Sequence, residues 1–382
     1  MEKVIMGNHA VSYGVQLSRV QVIAAYPITP QTQVVEMLSE LCADGRLKAT
    51  FIKVESEHSA LACCMGAAMS GARTFTATSS QGLLLMHEIL HWSAGARVPI
   101  VMANVNRAIA PPWNLWSDQT DSLAQRDTSW LQFYCENNQE VLDTVLQAFK
   151  VAEQISLPVM LVLDAFTLSH TSEVVDVPHQ EAVDRFLPPF NPKYLLDPDD
   201  PHAFGSITGA EDYQKLKQLR HEDMLQSIEI IKKVDEEYFE LFGRRYGVVN
   251  PYRCEDTELI LVTSGTLSGT ARIAIDSLRA AGVAAGALKM RLFRPFPADD
   301  LAAAIGRCPK IAVIDRNLSV GASGIFAQEI KAALYDRDLR PAVLGFVGGF
   351  GGGDFTPAAI EKIARRALAI KKSDSPTIWE EL

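Results

Sequence analysis

Four short stretches of the 382-residue chain hold residue types suited to chemistry, and each follows a run that reads as a β-strand. The first, Tyr26-Pro-Ile-Thr-Pro-Gln-Thr32, is entered from the mostly apolar run 20–25. Its two prolines fix φ and remove two amide donors, which makes a stiff elbow and holds the Thr29 hydroxyl between them. The plainer use is a helix start with Thr29 or Thr32 as N-cap. The second, Glu55-Ser-Glu57, precedes a helical run of small apolar residues. Glu57 lies near a first helical turn, where the helix dipole favours a carboxylate. It is either a plain N-terminal cap or a carboxylate held in an apolar wall against a heteroaromatic ring nitrogen. Glu55 is then the solvated acid at the strand end. The third, Thr76-Ala-Thr-Ser-Ser-Gln-Gly82, is a hydroxyl-rich turn that offers Thr78 at the sheet edge, or simple capping by Ser79 or Ser80. The fourth, Asn104-Val-Asn-Arg107, ends in a guanidinium that can clamp a carboxylate through two parallel hydrogen bonds, or lie on the surface. The loop 111–121, with Trp113 and Trp116, would shape the site or pack on the core. One sheet edge collects all four stretches, and that convergence carries more weight than any one of them.

Other motifs compete. His87-Glu-Ile-Leu-His91 satisfies the H-E-x-x-H pattern of zinc hydrolases, with both imidazoles on one helix face. Only a Pro-Pro-Trp loop follows, without a helical third-ligand signature, and the helix sits inside a regular β-α series. The plainer role for His87 and His91 is to line a cleft or a subunit surface. The glycine-rich run 348–353 fits neither G-x-G-x-x-G nor the P-loop, so it reads as a loop that brings two backbones close together. Ser264-Gly265 followed by Ser268-Gly269 resembles an anion-friendly strand-to-helix turn. His9 has no evident role.

These side chains need an alternating scaffold, and the hydrophobic pattern supplies one. Strand-like runs at 20–25, 50–54, 74–78, 98–103 and 158–164 alternate with helical runs at 8–17, 33–43, 59–70, 82–95 and 138–155. The pattern predicts an α/β fold with a mainly parallel sheet and helices on both faces. A Pro- and Asp-rich extended connection runs over 174–200, and one long charged helix over 210–242. A second α/β unit follows, with strands at 258–263, 284–289, 310–315 and 342–347. The expected divisions are 1–170, 171–256 and 257–382.

Composition bounds the function. The chain is 48% hydrophobic and 21% charged, an ordinary globular balance. Its net charge of −10 argues against nucleic acid or an anionic membrane as the main partner. The six cysteines form no C-x-x-C, so no iron–sulfur or zinc-ribbon spacing is present. They read as reduced core residues of a cytoplasmic protein. No secretory h-region or membrane-length apolar run is expected.

Together with Asp118-Gln-Thr-Asp-Ser-Leu-Ala-Gln-Arg-Asp127, Phe186-Leu-Pro-Pro-Phe190 and Arg291-Leu-Phe-Arg-Pro-Phe-Pro297, the four stretches resemble the α subunit of 2-oxoacid:ferredoxin oxidoreductases, pyruvate synthase type. The resemblance spans nearly the whole chain. It implies a pyrimidine-type thiamine diphosphate-binding domain plus a transketolase C-terminal-like domain. Thiamine diphosphate would be shared with a β subunit that supplies the diphosphate and Mg²⁺ site. Further γ- and δ-type subunits would carry [4Fe–4S] clusters, coenzyme A would be co-substrate, and ferredoxin or a related acceptor would take the electrons. No metal falls to this chain. By the same resemblance Thr29 contacts the substrate carboxylate, Arg107 pairs with it, and Glu57 meets the pyrimidine ring nitrogen, with Tyr26, Pro27, Ile28 and Thr78 lining the cofactor. A carboxylate at that nitrogen favours the imino tautomer needed to start the chemistry, and the cofactor then acts as electron sink for decarboxylation. Pro111-Pro-Trp113 and Trp116-Ser-Asp-Gln-Thr-Asp121 depart from the pyruvate-type loop. They suggest a substrate other than pyruvate, such as the aromatic 2-oxoacid phenylglyoxylate, with oxalate and branched-chain acids still open, while the resemblance itself implies pyruvate. The readings from other classes are a zinc hydrolase through His87, Glu88 and His91, and a non-catalytic scaffold subunit.

Overall fold

A computed structural model describes residues 1–371 and 375–381. In chain order the first part runs β1 (Glu2–Met6), α1 (Gly7–Leu17), β2 (Val22–Ala25), α2 (Thr32–Ala43), β3 (Thr50–Lys53), α3 (Glu57–Met69) and β4 (Thr74–Thr78). It continues α4 (Ser80–Leu85), α5 (His87–Gly95), β5 (Ile100–Asn106), α6 (Thr120–Leu123), β6 (Leu131–Tyr134), α7 (Asn138–Ile155) and β7 (Val159–Asp164). Then come β8 (Ser172–Asp176), α8 (Gln180–Phe186) and the long α9 (Ala210–Phe242). The last part runs β9 (Val249–Tyr252), β10 (Leu259–Thr263), α10 (Leu267–Ala280), β11 (Ala285–Met290), β12 (Leu292–Arg294), α11 (Ala298–Ile305) and β13 (Lys310–Asp315). It closes with α12 (Ile325–Leu334), β14 (Ala342–Val347), α13 (Pro357–Ala369) and β15 (Ile378–Trp379).

The β-α alternation read from the hydrophobic pattern is what forms. A sheet in the order β12-β6-β7-β5-β4-β2-β3 is parallel except at β12, and a sheet in the order β15-β14-β13-β10-β11-β9 is parallel except at β9. The helical run expected over 82–95 is two helices, α4 and α5, joined at the fully buried Met86. The connection expected to be extended carries α8, and also β8, which pairs antiparallel with β1. Val175 and Val177 of that segment are buried while Val174 is exposed, the period-2 signature of a strand.

Two features of the sheets position the site. In the first, the chain goes from β2 to β3 on one side and then places β4 on the other side of β2. The loops after β2 and β4 therefore flank a topological switch point, where open α/β sheets bind ligands. In the second sheet β10 holds the same place between β11 and β13. The other feature is continuity of the core. α1, α2 and α7 cover one face of the first sheet around Leu38, Leu142 and Phe149. The opposite face packs Met102, Trp130 and Tyr134 with Leu288, Met290 and Phe293 of the second unit in one apolar cluster. Short β12, with Leu292 and Phe293 fully buried, leaves the second unit to join the edge of the first sheet.

Candidate active site

The turn after β2 is held by side chains rather than by its prolines alone. Gln31, fully buried, donates Nε2–H to the Tyr26 carbonyl at 2.9 Å. Asn8, at the start of α1, donates to the Pro30 carbonyl at 2.8 Å and to Gln33 Oε1 at 3.1 Å. The Thr29–Pro30 peptide is cis. The N-cap of α2 is Gln31, so neither Thr29 nor Thr32 caps it. Thr29 is exposed, and among the described residues its hydroxyl has no hydrogen-bond partner. The carbonyl of Thr29 is the anchored group, because Arg107 Nη1 donates to it at 2.6 Å.

Glu57 is the first residue of α3, and Ser56 is the N-cap, accepting from the Ser59 amide at 3.2 Å. The capping role therefore falls to Ser56. Glu57 is 7% exposed, and its carboxylate takes no hydrogen bond from the described chain. Glu55 stays exposed and accepts from the Ser59 hydroxyl. The third stretch closes on Glu57. Thr78 at the end of β4 is fully buried, with Oγ1 lacking a partner, and so is Ser79 Oγ, so neither Ser79 nor Ser80 caps α4 through its side chain. Gly82 explains how close these groups come: a Cβ there would lie 2.5 Å from Glu57 Oε1 and 2.6 Å from Thr78 Oγ1. No side chain fits that position without displacing both groups.

Arg107, just past β5, is 4% exposed. Besides Thr29, it meets Gln81 Oε1 through Nη2 at 2.6 Å, and its Nε is buried with no partner. Burial lowers its pKa, while the negative charges of Asp121 and Glu57 oppose that shift. The Trp113 ring lies over it, 5.9 Å from Cζ, and is itself 76% exposed. Asn114 and Trp116 tie this loop to the second unit. Asn114 Nδ2 donates to the Gly351 carbonyl at 3.2 Å, and a Cβ on Gly352 would meet the Trp116 ring at 2.9 Å. The glycine-rich run thus brings its backbone against side chains of that loop and not against a second backbone there.

Beneath these groups lies Asp121, which no sequence pattern singled out. Burial pushes its carboxyl up to about 7, against hydrogen bonds from Ser80, Asn104, Arg107 and Ser122. The anion-friendly turn at 264–268 is filled from within the chain. Asp164 Oδ2 accepts from the Thr266 amide at 2.9 Å and the Thr266 hydroxyl at 2.5 Å.

His87 and His91 lie on the exposed face of α5, rings 4.9 Å apart, with His87 Nδ1 on Gln125 Oε1 at 2.6 Å. Glu88 faces His58 at 3.7 Å. Among the described residues no three His, Cys, Asp or Glu side chains converge as metal ligands. The four chemical stretches, by contrast, meet as expected. Glu57, Thr78, Arg107 and the Tyr26 turn form one wall, with orphaned polar atoms at Thr78 and Arg107.

The wall lies within a segment that has known relatives. Residues 13–236 match the family described as pyruvate flavodoxin/ferredoxin oxidoreductase, thiamine diphosphate-binding, and residues 257–360 match pyruvate:ferredoxin oxidoreductase core domain II. The chain is 50% identical over 366 residues to the pyruvate synthase subunit PorA of Methanothermobacter thermautotrophicus, covering 95% of this chain and 94% of that one. It is 48% identical over 387 residues to the ketoisovalerate oxidoreductase subunit VorA of Pyrococcus horikoshii, covering 100% and 98%. In fold it resembles the 2-oxoglutarate:ferredoxin oxidoreductase of Magnetococcus marinus, with TM-score 0.74 and 20% identity over 96% of this chain, which spans 65% of that one. It also resembles a split-gene transketolase, with TM-score 0.58 and 13% identity over 97% of this chain and 100% of the other.

Proposed function

The chain belongs to the family of 2-oxoacid:ferredoxin oxidoreductase α subunits, and from that membership we propose that it provides the cofactor-ring wall and the substrate clamp of such an enzyme. The reaction converts a 2-oxoacid and coenzyme A to acyl-CoA and CO₂. Electrons leave singly through iron–sulfur clusters to ferredoxin or a related acceptor. Thiamine diphosphate, when bound, supplies the electron sink for decarboxylation.

One observation carries the reading. Buried Glu57 and the unpartnered Thr78 Oγ1 both close on Gly82, beside an Arg107 whose Nε is buried and unpaired. That set fits a heteroaromatic ring next to a carboxylate anion. Glu57 holds a proton at the ring nitrogen, Thr78 contributes a hydroxyl, and Tyr26, Pro27 and Ile28 form the adjoining rim. Arg107, aided by Thr29, orients the 2-oxoacid carboxylate. The wall is one-sided, and the reading assigns the diphosphate, Mg²⁺ and [4Fe–4S] groups to β-, γ- and δ-type partner subunits in the cytoplasm. Half-exposed Ala62, Cys63 and Met65 on α3, beside exposed Gly66, support a partner chain packed on that helix. No helix among the described residues is long and apolar enough to cross a membrane.

Glu57→Gln in the assembled complex tests the reading. We expect loss of turnover together with weaker thiamine diphosphate binding. If both survive intact, the chain is a scaffold and its carboxylate does not face the cofactor. For the substrate, Trp113 over Arg107 offers a flat apolar surface, which favours an aromatic 2-oxoacid such as phenylglyoxylate, with pyruvate next. A panel of pyruvate, 2-ketoisovalerate and phenylglyoxylate, read by acceptor reduction, checks this order. The highest kcat/KM on 2-ketoisovalerate would overturn the order and leave the reaction class standing.

A further inference from the structure

We propose that Asp121 is the positioning residue of the substrate clamp: its carboxylate locks the main chain at Arg107 to the turn that begins α4, and so sets where the guanidinium points. The inference rests on the 2-oxoacid reading above and adds a residue to it. Asp121 is fully buried. Its Oδ2 accepts three bonds from two segments: from the Ser80 amide at 2.9 Å, and from Asn104 Nδ2 and the Arg107 amide, each at 3.2 Å. Its Oδ1 accepts from the Ser122 amide at 2.6 Å. The Arg107 side chain makes no hydrogen bond to this carboxylate, since Nη1 and Nη2 go to Thr29 and Gln81 and Nε is unpaired. The charge is met by main-chain amides and one amide side chain, and those are the groups whose spacing must be fixed.

The consequences run in two directions from Oδ2. Towards α4, Ser80 has φ +49°, a left-handed conformation that a residue with a Cβ adopts only when held there. The next residue, Gln81, takes Arg107 Nη2, and the one after, Gly82, is the contact shared by Glu57 and Thr78. Towards β5, the Arg107 amide is fixed at the point where its side chain leaves the strand end. A single carboxylate thus fixes the clamp against the turn that borders the cofactor wall, while Glu57 and Thr78 keep their own supports in α3 and β4. It touches neither substrate nor cofactor.

A clamp that binds the carboxylate equally in ground and transition states affects KM more than kcat. In the assembled complex, Asp121→Asn keeps one oxygen for the three donors but sets an NH₂ against the Ser122 amide. We expect KM for the 2-oxoacid to rise about tenfold or more, with kcat falling less, while thiamine diphosphate affinity and the melting temperature of the complex change little. Asn104→Ala, which removes one donor and leaves the carboxylate in place, should raise KM a few-fold in the same direction. Unchanged KM in both variants overturns the proposal. So does a loss of activity that follows only the amount of folded complex, with KM unaltered. If the wild-type complex oxidises no 2-oxoacid, the reaction assignment fails instead, so the two failures are told apart.

Discussion

Arg107 comes to its task with two nitrogens already committed, to Thr29 O and Gln81 Oε1, and with Nε buried and unpaired. The two fixed bonds set the plane of the guanidinium, and in the proposed reading the unpaired edge would receive the substrate carboxylate. Arg107→Ala removes the proposed clamp and leaves the Thr29 carbonyl without its donor, while Gln81 Oε1 keeps the Ser80 hydroxyl. A loss of about 2–5 kcal/mol in kcat/KM for the 2-oxoacid is expected, and unchanged steady-state constants would refute the role. Arg107→Lys should recover little, because one ammonium cannot hold both acceptors and present a planar pair of donors. At this scale the sequence spoke clearly for Glu57, Thr78 and Arg107, since each stands at a strand end where side chains converge. At Thr29 the prolines drew attention to the hydroxyl, and the structure adds a bond that the sequence did not suggest, from Arg107 to its carbonyl. Asp121, Gln31 and Asn8 were silent, because their partners are mostly backbone groups brought near only by folding, and such bonds leave no spacing to read.

Among the elements, helices were easier to read than short strands. The 18-residue α7 and 33-residue α9 follow directly from periodic apolar positions. β6 and β12 did not, being four and three residues long, with pairing supplied by distant neighbours. Loops take their meaning from what they dock on. The glycine-rich turn can lie on Trp116 because Gly352, at φ +94°, lacks a Cβ. Gly352→Ala should push the Trp116 loop away and raise KM for the 2-oxoacid while leaving cofactor affinity intact; substrate titrations of the variant complex check this. Asp315 gives an element its pH dependence. It accepts from the Phe326 and Ala327 amides at the start of α12, and burial pushes its carboxyl up to about 6. The folded chain therefore holds that proton more tightly than the unfolded one. The stability linked to Asp315 is full at low pH and falls as pH rises through the window from the ordinary aspartate value, about 4, to about 6. Melting temperatures of wild type relative to Asp315→Asn should decline across that window and level off above it. A pH-independent difference would remove Asp315 from the account.

At the scale of the whole molecule, the two sheets are joined by charges where neither unit alone would tolerate them. Lys289 on β11 is 5% exposed and meets Glu140 of α7 at 2.5 Å and Glu136 at 3.1 Å. Arg291 is fully buried, between the Phe133 and Tyr246 rings, and donates to Gln147 at 2.7 Å. Asp164 reaches across to the start of α10, so the second unit's switch point is closed by a carboxylate of the first. This junction was not legible beforehand, because Glu136, Glu140 and Lys289 look like solvated charges until the units close over them. The junction also matters for the site, since the Trp113 loop rests on the second unit through Asn114 and Trp116. Lys289→Ala removes the cation shared by Glu136 and Glu140 and leaves Arg272 on the first and Arg291 on the second. Breaking a buried pair from one side costs about 3–5 kcal/mol, whereas replacing both partners by apolar groups of similar volume is often nearly neutral. The single variant should therefore melt below wild type by less than that full cost, and Glu140→Gln, which deprives both Lys289 and buried Arg291 of their shared carboxylate, should melt lower still. Differential scanning calorimetry of the two variants decides the matter. Equal melting temperatures in the two variants would mean that the junction depends on packing at this point and not on the pairing of its charges.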